Sequence, residues 1–197
     1  MPDLTPPEII LASGSPRRRE LLAQMGIAFT VVTADVQELD QATASHFSPA
    51  ELACENARLK SAPVALAQPD RWVLGADTVV TLEGRIFGKP ASLDDARKYL
   101  RTLSGQTHQV MTGCVLSRVE SLACESFYAT TDVTFKALSE DLIDRYLASV
   151  NVLDKAGAYA LQEHGDWIVE RVVGSETNVI GLPMERLREA FLQRGLL

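Results

Sequence analysis

Ser13-Gly14-Ser15-Pro16-Arg17-Arg18-Arg19 gathers small residues and three guanidinium groups into one short stretch. Small residues permit a tight turn with free backbone N–H groups, and a helix starting at Pro16 would aim those groups at an anion. Arginines in a first helical turn oppose the macrodipole, at a few tenths to about 1 kcal/mol each, so a bound phosphate would relieve the conflict. The competing reading is a solvated basic turn whose arginines pair with Glu20 or other acids, and residue type does not choose between the two.

Gly75-Ala76-Asp77-Thr78 sets a carboxylate and a hydroxyl at the expected end of an apolar strand, where a buried charge is costly unless it meets a metal, a cation or hydrogen-bond donors. The plainer alternative is an Asp holding a turn through backbone N–H groups. Gly88-Lys89-Pro90 offers an ammonium on a stiff loop. Glu38 lies in an acidic connection through Asp35, Glu38 and Asp40, either as a solvated charge or as a second metal-facing oxygen. Gln162 carries the paired donor and acceptor that can read a base edge, or is a plain exposed amide. His108, in Ser104-Gly105-Gln106-Thr107-His108, reads as a hydrogen-bonded structural residue. Together, a phosphate loop, a strand-end acid, a loop lysine and an amide reader describe a nucleotide pocket. The histidines are too scattered for a His-metal site, and Ser-Gly-Ser lacks the G-x-S-x-G elbow of a serine hydrolase.

These residues need elements to hold them. Glu8 to Ala12 reads as a short apolar strand, followed by a helix capped by Ser15, opened by Pro16 and stopped at Gly26, with Leu21, Leu22 and Met25 on its apolar face. Phe29 to Val32 reads as a strand, and the acidic connection after it as a mobile rim. Pro49 to about Leu66 has a helical pattern that Pro63 should kink or end early. Trp72 to Leu82 is strand-like but interrupted at residues 75–78, and Glu83-Gly84 makes a hairpin turn. Ser92 with Asp95 opens a helix ending in Lys98 and Arg101. Gln109 to Val119 and Cys124 to Lys136 should pair antiparallel. Ser139 caps a helix to about Ser149, short strands are expected at Ala158 to Leu161 and Trp167 to Val173, and Pro183 opens a last helix. The mixed order points to an α+β or mixed α/β fold.

At 197 residues and 46% hydrophobic content the chain reads as a single domain over residues 1–197. The net charge of -7 argues against a protein whose main task is holding a nucleic acid backbone. Cys54, Cys114 and Cys124 form no C-x-x-C pair, which fits a reducing compartment. Met1 to Glu8 carries no basic leader region and no window is long enough to span a membrane, so a soluble cytoplasmic protein is expected.

Leu11-Ala12-Ser13-Gly14-Ser15-Pro16-Arg17-Arg18 resembles the signature of the Maf family of nucleotide pyrophosphatases. Gly75-Ala76-Asp77-Thr78, Gly88-Lys89-Pro90, Leu103-Ser104-Gly105 with His108, Asp154-Lys155-Ala156-Gly157-Ala158-Tyr159 and Gly181-Leu182-Pro183 resemble further family blocks, so the likeness spans nearly the whole chain. It implies a fold related to inosine triphosphate pyrophosphatases: an elongated twisted mixed sheet flanked by helices, a deep cleft between two lobes, and a homodimer. It also implies Mg²⁺ or Mn²⁺ and hydrolysis of a nucleoside triphosphate to its monophosphate and pyrophosphate. Tyr159 and Gln162 are similar to the branch acting on dTTP and UTP rather than on 7-methyl-GTP. Asp77 resembles the family's general base, Glu38 its second acid, and Lys89 and Arg18 its phosphate-handling cations, with Glu38 and Asp77 facing the metal. Arg17, Thr78 and Gln162 match positions linked to substrate choice, and Ser13 and Ser15 belong to the phosphate loop.

The sequence departs from the family at Asn56, where a lysine is common. Lys60, four residues on and on the same helical face, is the expected substitute cation. Ala160 and Glu163 replace glycines beside Gln162. A reading of another class, a non-catalytic nucleotide-binding regulator of cell division, would use the same pocket. Unshared carboxylates at Asp77 and Glu38 favour the hydrolase, because they would repel a triphosphate in a pure binder.

Overall fold

The computed structural model describes residues 9–197. Glu8, expected to begin the first strand, and the stretch Met1 to Glu8 read for a leader lie outside the described residues. Strand β1 (Ile9–Leu11) is buried at every position, as a strand with parallel neighbours on both edges requires. Helix α1 (Pro16–Ala23) follows as expected: Ser15 is extended, its Oγ accepts from the Arg18 N–H, and Pro16 takes the first turn. Gly26, at φ +71°, turns the chain into β2 (Phe29–Val31).

Helix α2 (Pro49–Ala67) starts at a reciprocal Ser48–Glu51 capping box and runs through Pro63 without ending there. The missing N–H costs about 3 kcal/mol in an exposed helix. Here Leu52, Ala53 and Ala57 before the proline and Val64 and Ala65 after it are buried, and this packing carries the helix past the defect. Residues 75–78 likewise do not interrupt anything: β3 (Trp72–Leu82) is one strand of 11 residues, and Asp77 sits at its middle rather than its end. Glu83 and Gly84, at φ +53° and +81°, make the tight turn to β4 (Arg85–Phe87).

After α3 (Leu93–Leu103), β5 (Thr107–Arg118) and β6 (Ala123–Phe135) pair antiparallel over their full length. Helix α4 (Glu140–Ser149) is capped by Ser139. Ala158 to Leu161 is not a strand. Gly157 and Ala158 are left-handed, and both backbone groups of Ala160 pair with the Tyr146 hydroxyl instead of a neighbouring strand. Gln162 therefore lies in a turn. The expected strand from Trp167 begins at Val169: α5 (Gly165–Ile168) is a helical turn, then β7 (Val169–Val173). A short helix not expected from the sequence, α6 (Glu176–Ile180), precedes α7 (Met184–Gln193).

The strands form one mixed sheet in the order β2-β1-β3-β5-β6-β7, with β4 on β3. On one edge of β3, β1 pairs with Trp72 to Leu74 and β4 with Val80 to Leu82. Residues 75–79 between them pair only with β5. The two larger apolar cores lie at the ends of the long strands, and a third, smaller cluster of Ile10, Ala12, Val64, Ala65 and Val73 packs α2 on the sheet. Of the two larger, one joins Leu11, Leu22, Leu74, Leu116 and Phe191, and the other joins Val80, Phe87, Leu100, Phe135 and Tyr146. The gap in the β3 edge falls between these two.

Candidate active site

A cleft of about 920 Å³ opens at that gap, within the range of small-molecule sites. Asp77 lies in it, 7% exposed, on the face of β3 that α2 covers. Gly75 on the same face permits the close approach: a Cβ there would stand 2.2 Å from the Ala57 carbonyl oxygen of α2. So near a helix, Asp77 is met by side chains of that helix. Lys60 Nζ lies 2.6 Å from Asp77 Oδ1 and 3.1 Å from Glu38 Oε1, and Lys89 Nζ approaches the same Glu38 oxygen at 3.7 Å. Burial pushes the Glu38 carboxyl up, but Lys60, with Lys89 and Arg18 behind it, outweighs that and holds its pKa below the ordinary value.

Asn56, one turn before Lys60, supplies no charge. Its amide accepts from the Leu39 N–H at 2.8 Å and donates to the Leu39 carbonyl at 3.0 Å, and Nδ2 lies 3.4 Å from Asp77 Oδ2. It thus staples the segment carrying Glu38 to α2. Gln41 makes a second staple, donating to the Gly84 carbonyl at 2.8 Å and accepting from the Ile86 N–H at 3.0 Å. The acidic connection expected to be a mobile rim is tied down at two points.

On the other face of β3, Arg18 turns inward and is buried. Its Nε donates to the Gly181 carbonyl at 2.9 Å, one terminal nitrogen to Ser13 Oγ at 3.1 Å and the other to Thr78 Oγ1 at 3.0 Å. Burial pulls its pKa down, against the opposing pull of Asp77. Gly181 has φ +138°, a backbone conformation that L side chains rarely adopt, and it lies in van der Waals reach of the Arg18 side chain. Ser15 is occupied as the helix cap, while Ser13 accepts from both Arg18 and the Ser15 N–H.

At the far wall Arg17 pairs with Asp154 at 3.1 Å, and buried Lys155 pairs with Asp154 at 3.0 Å and Glu163 at 3.2 Å. Glu163 therefore braces the turn bearing Gln162, whose side chain is exposed at the cleft. Tyr159 also lines the cleft, its hydroxyl 2.9 Å from His108 Nε2.

The chain that builds this cleft is similar to known proteins over most of its length. The family model described as Maf-like protein matches residues 8–194. The chain belongs to the Maf-like protein family. A dTTP/UTP pyrophosphatase of Akkermansia muciniphila is 46% identical over 178 residues, 90% of this chain and 92% of that one. One of Bacillus cereus strain B4264 is 44% identical over 180 residues, 91% and 92% of the two chains. Among solved structures, the Ham1 protein of Staphylococcus aureus superposes with a TM-score of 0.52 at 18% identity over 95% of this chain and 99% of that one. A HAM1 protein of Coxiella burnetii gives 0.51 at 17% identity over the same shares. At such identities the likeness is one of fold, and it agrees with the mixed α/β architecture expected.

For this Maf-like chain the structure brings Ser13, Ser15, Arg17, Arg18, Glu38, Lys60, Asp77, Thr78, Lys89 and Gln162 to one cleft. Arg19, grouped with its neighbours in the sequence, is exposed and outside it. Sequence reasoning missed the stapling role of Asn56 and Gln41 and the carbonyl that Gly181 delivers to Arg18. Gly181 in Gly-Leu-Pro was the available signal, as a glycine just before a helix-opening proline. Among the described residues no group of three or more His, Cys, Asp and Glu is placed to hold a metal, and none is long and apolar enough as a helix to cross a membrane.

Proposed function

We propose that this chain hydrolyses dTTP and UTP to the monophosphate and pyrophosphate, with Asp77 as general base. The observation that carries the reading is the convergence of Asp77 and Glu38 on one cation, Lys60, at the floor of the cleft. Relatives at 43 to 46% identity, which are dTTP/UTP pyrophosphatases, support the substrate class.

Two carboxylates converging on a single ammonium form the donor set a hard divalent cation uses when substrate phosphates complete its shell, so Asp77 and Glu38 fit Mg²⁺ or Mn²⁺. Bound there, the ion would neutralise phosphate charge. The chain's own residues do the rest. Arg18 and Lys89 offer N–H donors to the phosphates, and the start of α1 adds backbone N–H groups at the positive end of its dipole. Asp77 accepts the proton of a water whose oxygen attacks the α-phosphorus. The bond from that phosphorus to the bridging oxygen breaks, and the cations take up the charge on the departing pyrophosphate. Gln162 and Thr78 face the nucleoside, where an amide and a hydroxyl can tell one base or sugar from another.

The test is pyrophosphate release from a panel of triphosphates with Mg²⁺ or Mn²⁺, beside Asp77→Asn. Metal-dependent release from dTTP and UTP that the variant loses supports the reading. Nucleotide binding without release from any triphosphate would replace it with the regulator. The same reading includes a homodimer in the cytoplasm and no nucleic acid partner; light scattering at the monomer mass, or retention on heparin at moderate salt, would remove those parts.

A further inference from the structure

Thr112 lies on β5, opposite Thr78 in the register, and is fully buried. It is not among the residues lining the cleft. Its Oγ1 is 2.8 Å from the Asn178 carbonyl oxygen and 2.9 Å from Thr78 Oγ1. A carbonyl can only accept, so the single hydroxyl proton of Thr112 goes to Asn178. The contact between the two threonines must then be donated by Thr78. A guanidinium can only donate, so Thr78 Oγ1 also accepts from Arg18. The chain of bonds has one allowed polarity: Arg18 to Thr78 to Thr112 to the Asn178 carbonyl.

We propose that Thr112 is a positioning residue that, acting through Thr78, fixes the face Arg18 turns to the substrate phosphates. This rests on the hydrolase reading above. Arg18 has five N–H donors, of which Gly181, Ser13 and Thr78 take three. One N–H remains on each terminal nitrogen, a fork suited to two phosphate oxygens. The fork points usefully only while all three acceptors hold the guanidinium plane. Thr78 stays an acceptor because its own proton is drawn away by Thr112. Remove that acceptor, and the Thr78 hydroxyl must find another partner for its proton, by rotating about χ1 or by turning to the cleft. Either way Arg18 loses a fixed partner. A second consequence is that Thr78 has no proton to give a substrate and meets it only as an acceptor.

The experiment is a double-mutant cycle on the full chain, reading kcat, KM and Tm with dTTP for Thr112→Val, Thr78→Val, the double variant and Thr112→Ser. Thr112→Val should lower kcat/KM about 10- to 100-fold, the range for losing one hydrogen bond to a charged group. Thr112→Ser should stay within about threefold of the parent, because it keeps the hydroxyl. In the Thr78→Val background, Thr112→Val should change kcat/KM by less than about twofold, since the path it acts through is gone. A full additional loss in that background, or a lower Tm at unchanged kcat/KM, would overturn the proposal. If Thr112→Val does not fold, Thr112→Cys carries the same cycle. Should the parent release no pyrophosphate from any triphosphate, the hydrolase reading fails separately, and dTTP affinity read through the same cycle decides the relay.

Discussion

Lys60 neutralises two carboxylates at once, and this makes it the residue whose loss should be felt most beyond Asp77. It is held at 2.6 Å from one acid and 3.1 Å from the other. Without it, Asp77 and Glu38 face an incoming triphosphate with none of the chain's own cations between them. Lys60→Ala should cut kcat/KM on the order of 10²-fold, comparable with removing one preorganised charge-stabilising donor. Unchanged turnover would show that Lys89 and Arg18 suffice. His108 makes a prediction of another kind. Burial pushes its pKa from 6.5 down to about 4, so the folded protein keeps the ring neutral. The unfolded chain takes up the proton between those values, and stability falls as pH drops from 6.5 towards 4, by at most about 3 kcal/mol. In urea titrations the stability advantage over His108→Gln should therefore shrink between pH 7 and pH 4.5; parallel losses would show that the ring does not titrate in this way. Asp77 and Arg18 stood out in the sequence because charge in apolar or small-residue surroundings asks for a partner, whereas Glu38, in an acidic connection, was singled out only by the family resemblance. Thr112 did not stand out, since a threonine in an alternating strand looks like any other β-branched residue. Only the pairing of β3 with β5 gives it Thr78 as a neighbour.

Helix α2 is the element that turns a strand residue into a site. It lies so close to the sheet that a Cβ on Gly75 would stand 2.2 Å from the Ala57 carbonyl oxygen, and one on Gly113 would stand 2.4 Å from the Cys54 nitrogen. Both obstacles are backbone, so neither can yield by a rotamer change. Gly75→Ala must push the helix outward, taking Asn56 and Lys60 with it. We expect a loss of about 1–3 kcal/mol or more in stability, as for overpacked cores, together with a lower kcat at temperatures where the variant is still folded. A Tm drop with kcat intact would mean that α2 does not set the position of Lys60. Most elements could be read from caps and alternation: Ser15, Ser92 and Ser139 each mark a helix start through local chemistry. The failures share a cause in tertiary contact. Pro63 is overridden by packing on both sides of it. The small polar residues 75–78 stay in a strand because β5 supplies their ladder. Ala158 to Leu161 leaves the sheet because Tyr146, on another helix, satisfies its backbone.

The whole molecule is organised around the stretch of β3 that lacks a partner on one edge. The two larger apolar cores sit on either side of it, sharing the long strands β3, β5 and β6, and the cleft draws its cations from both sides. In a chain of net charge -7, the cleft gathers Arg17, Arg18, Lys60 and Lys89 beside Glu38, Asp77 and Asp154, and on the proposed reading a triphosphate binds there. A nucleotide seated there would contact the α1 loop on one side and the 154–162 segment on the other, joining the two halves. Asp77→Asn allows this to be seen with an intact substrate, because it removes the base while keeping the cations. At a dTTP concentration about 100 times Kd, binding to the folded state alone adds about 2.7 kcal/mol, or roughly 5–11 °C in Tm for a chain of this size. Hydrogen exchange on the same sample should show new protection both at residues 13–19 and at residues 154–162. Protection at residues 13–19 alone would mean that the nucleotide does not bridge the cleft, and that Gln162 has no part in recognising it.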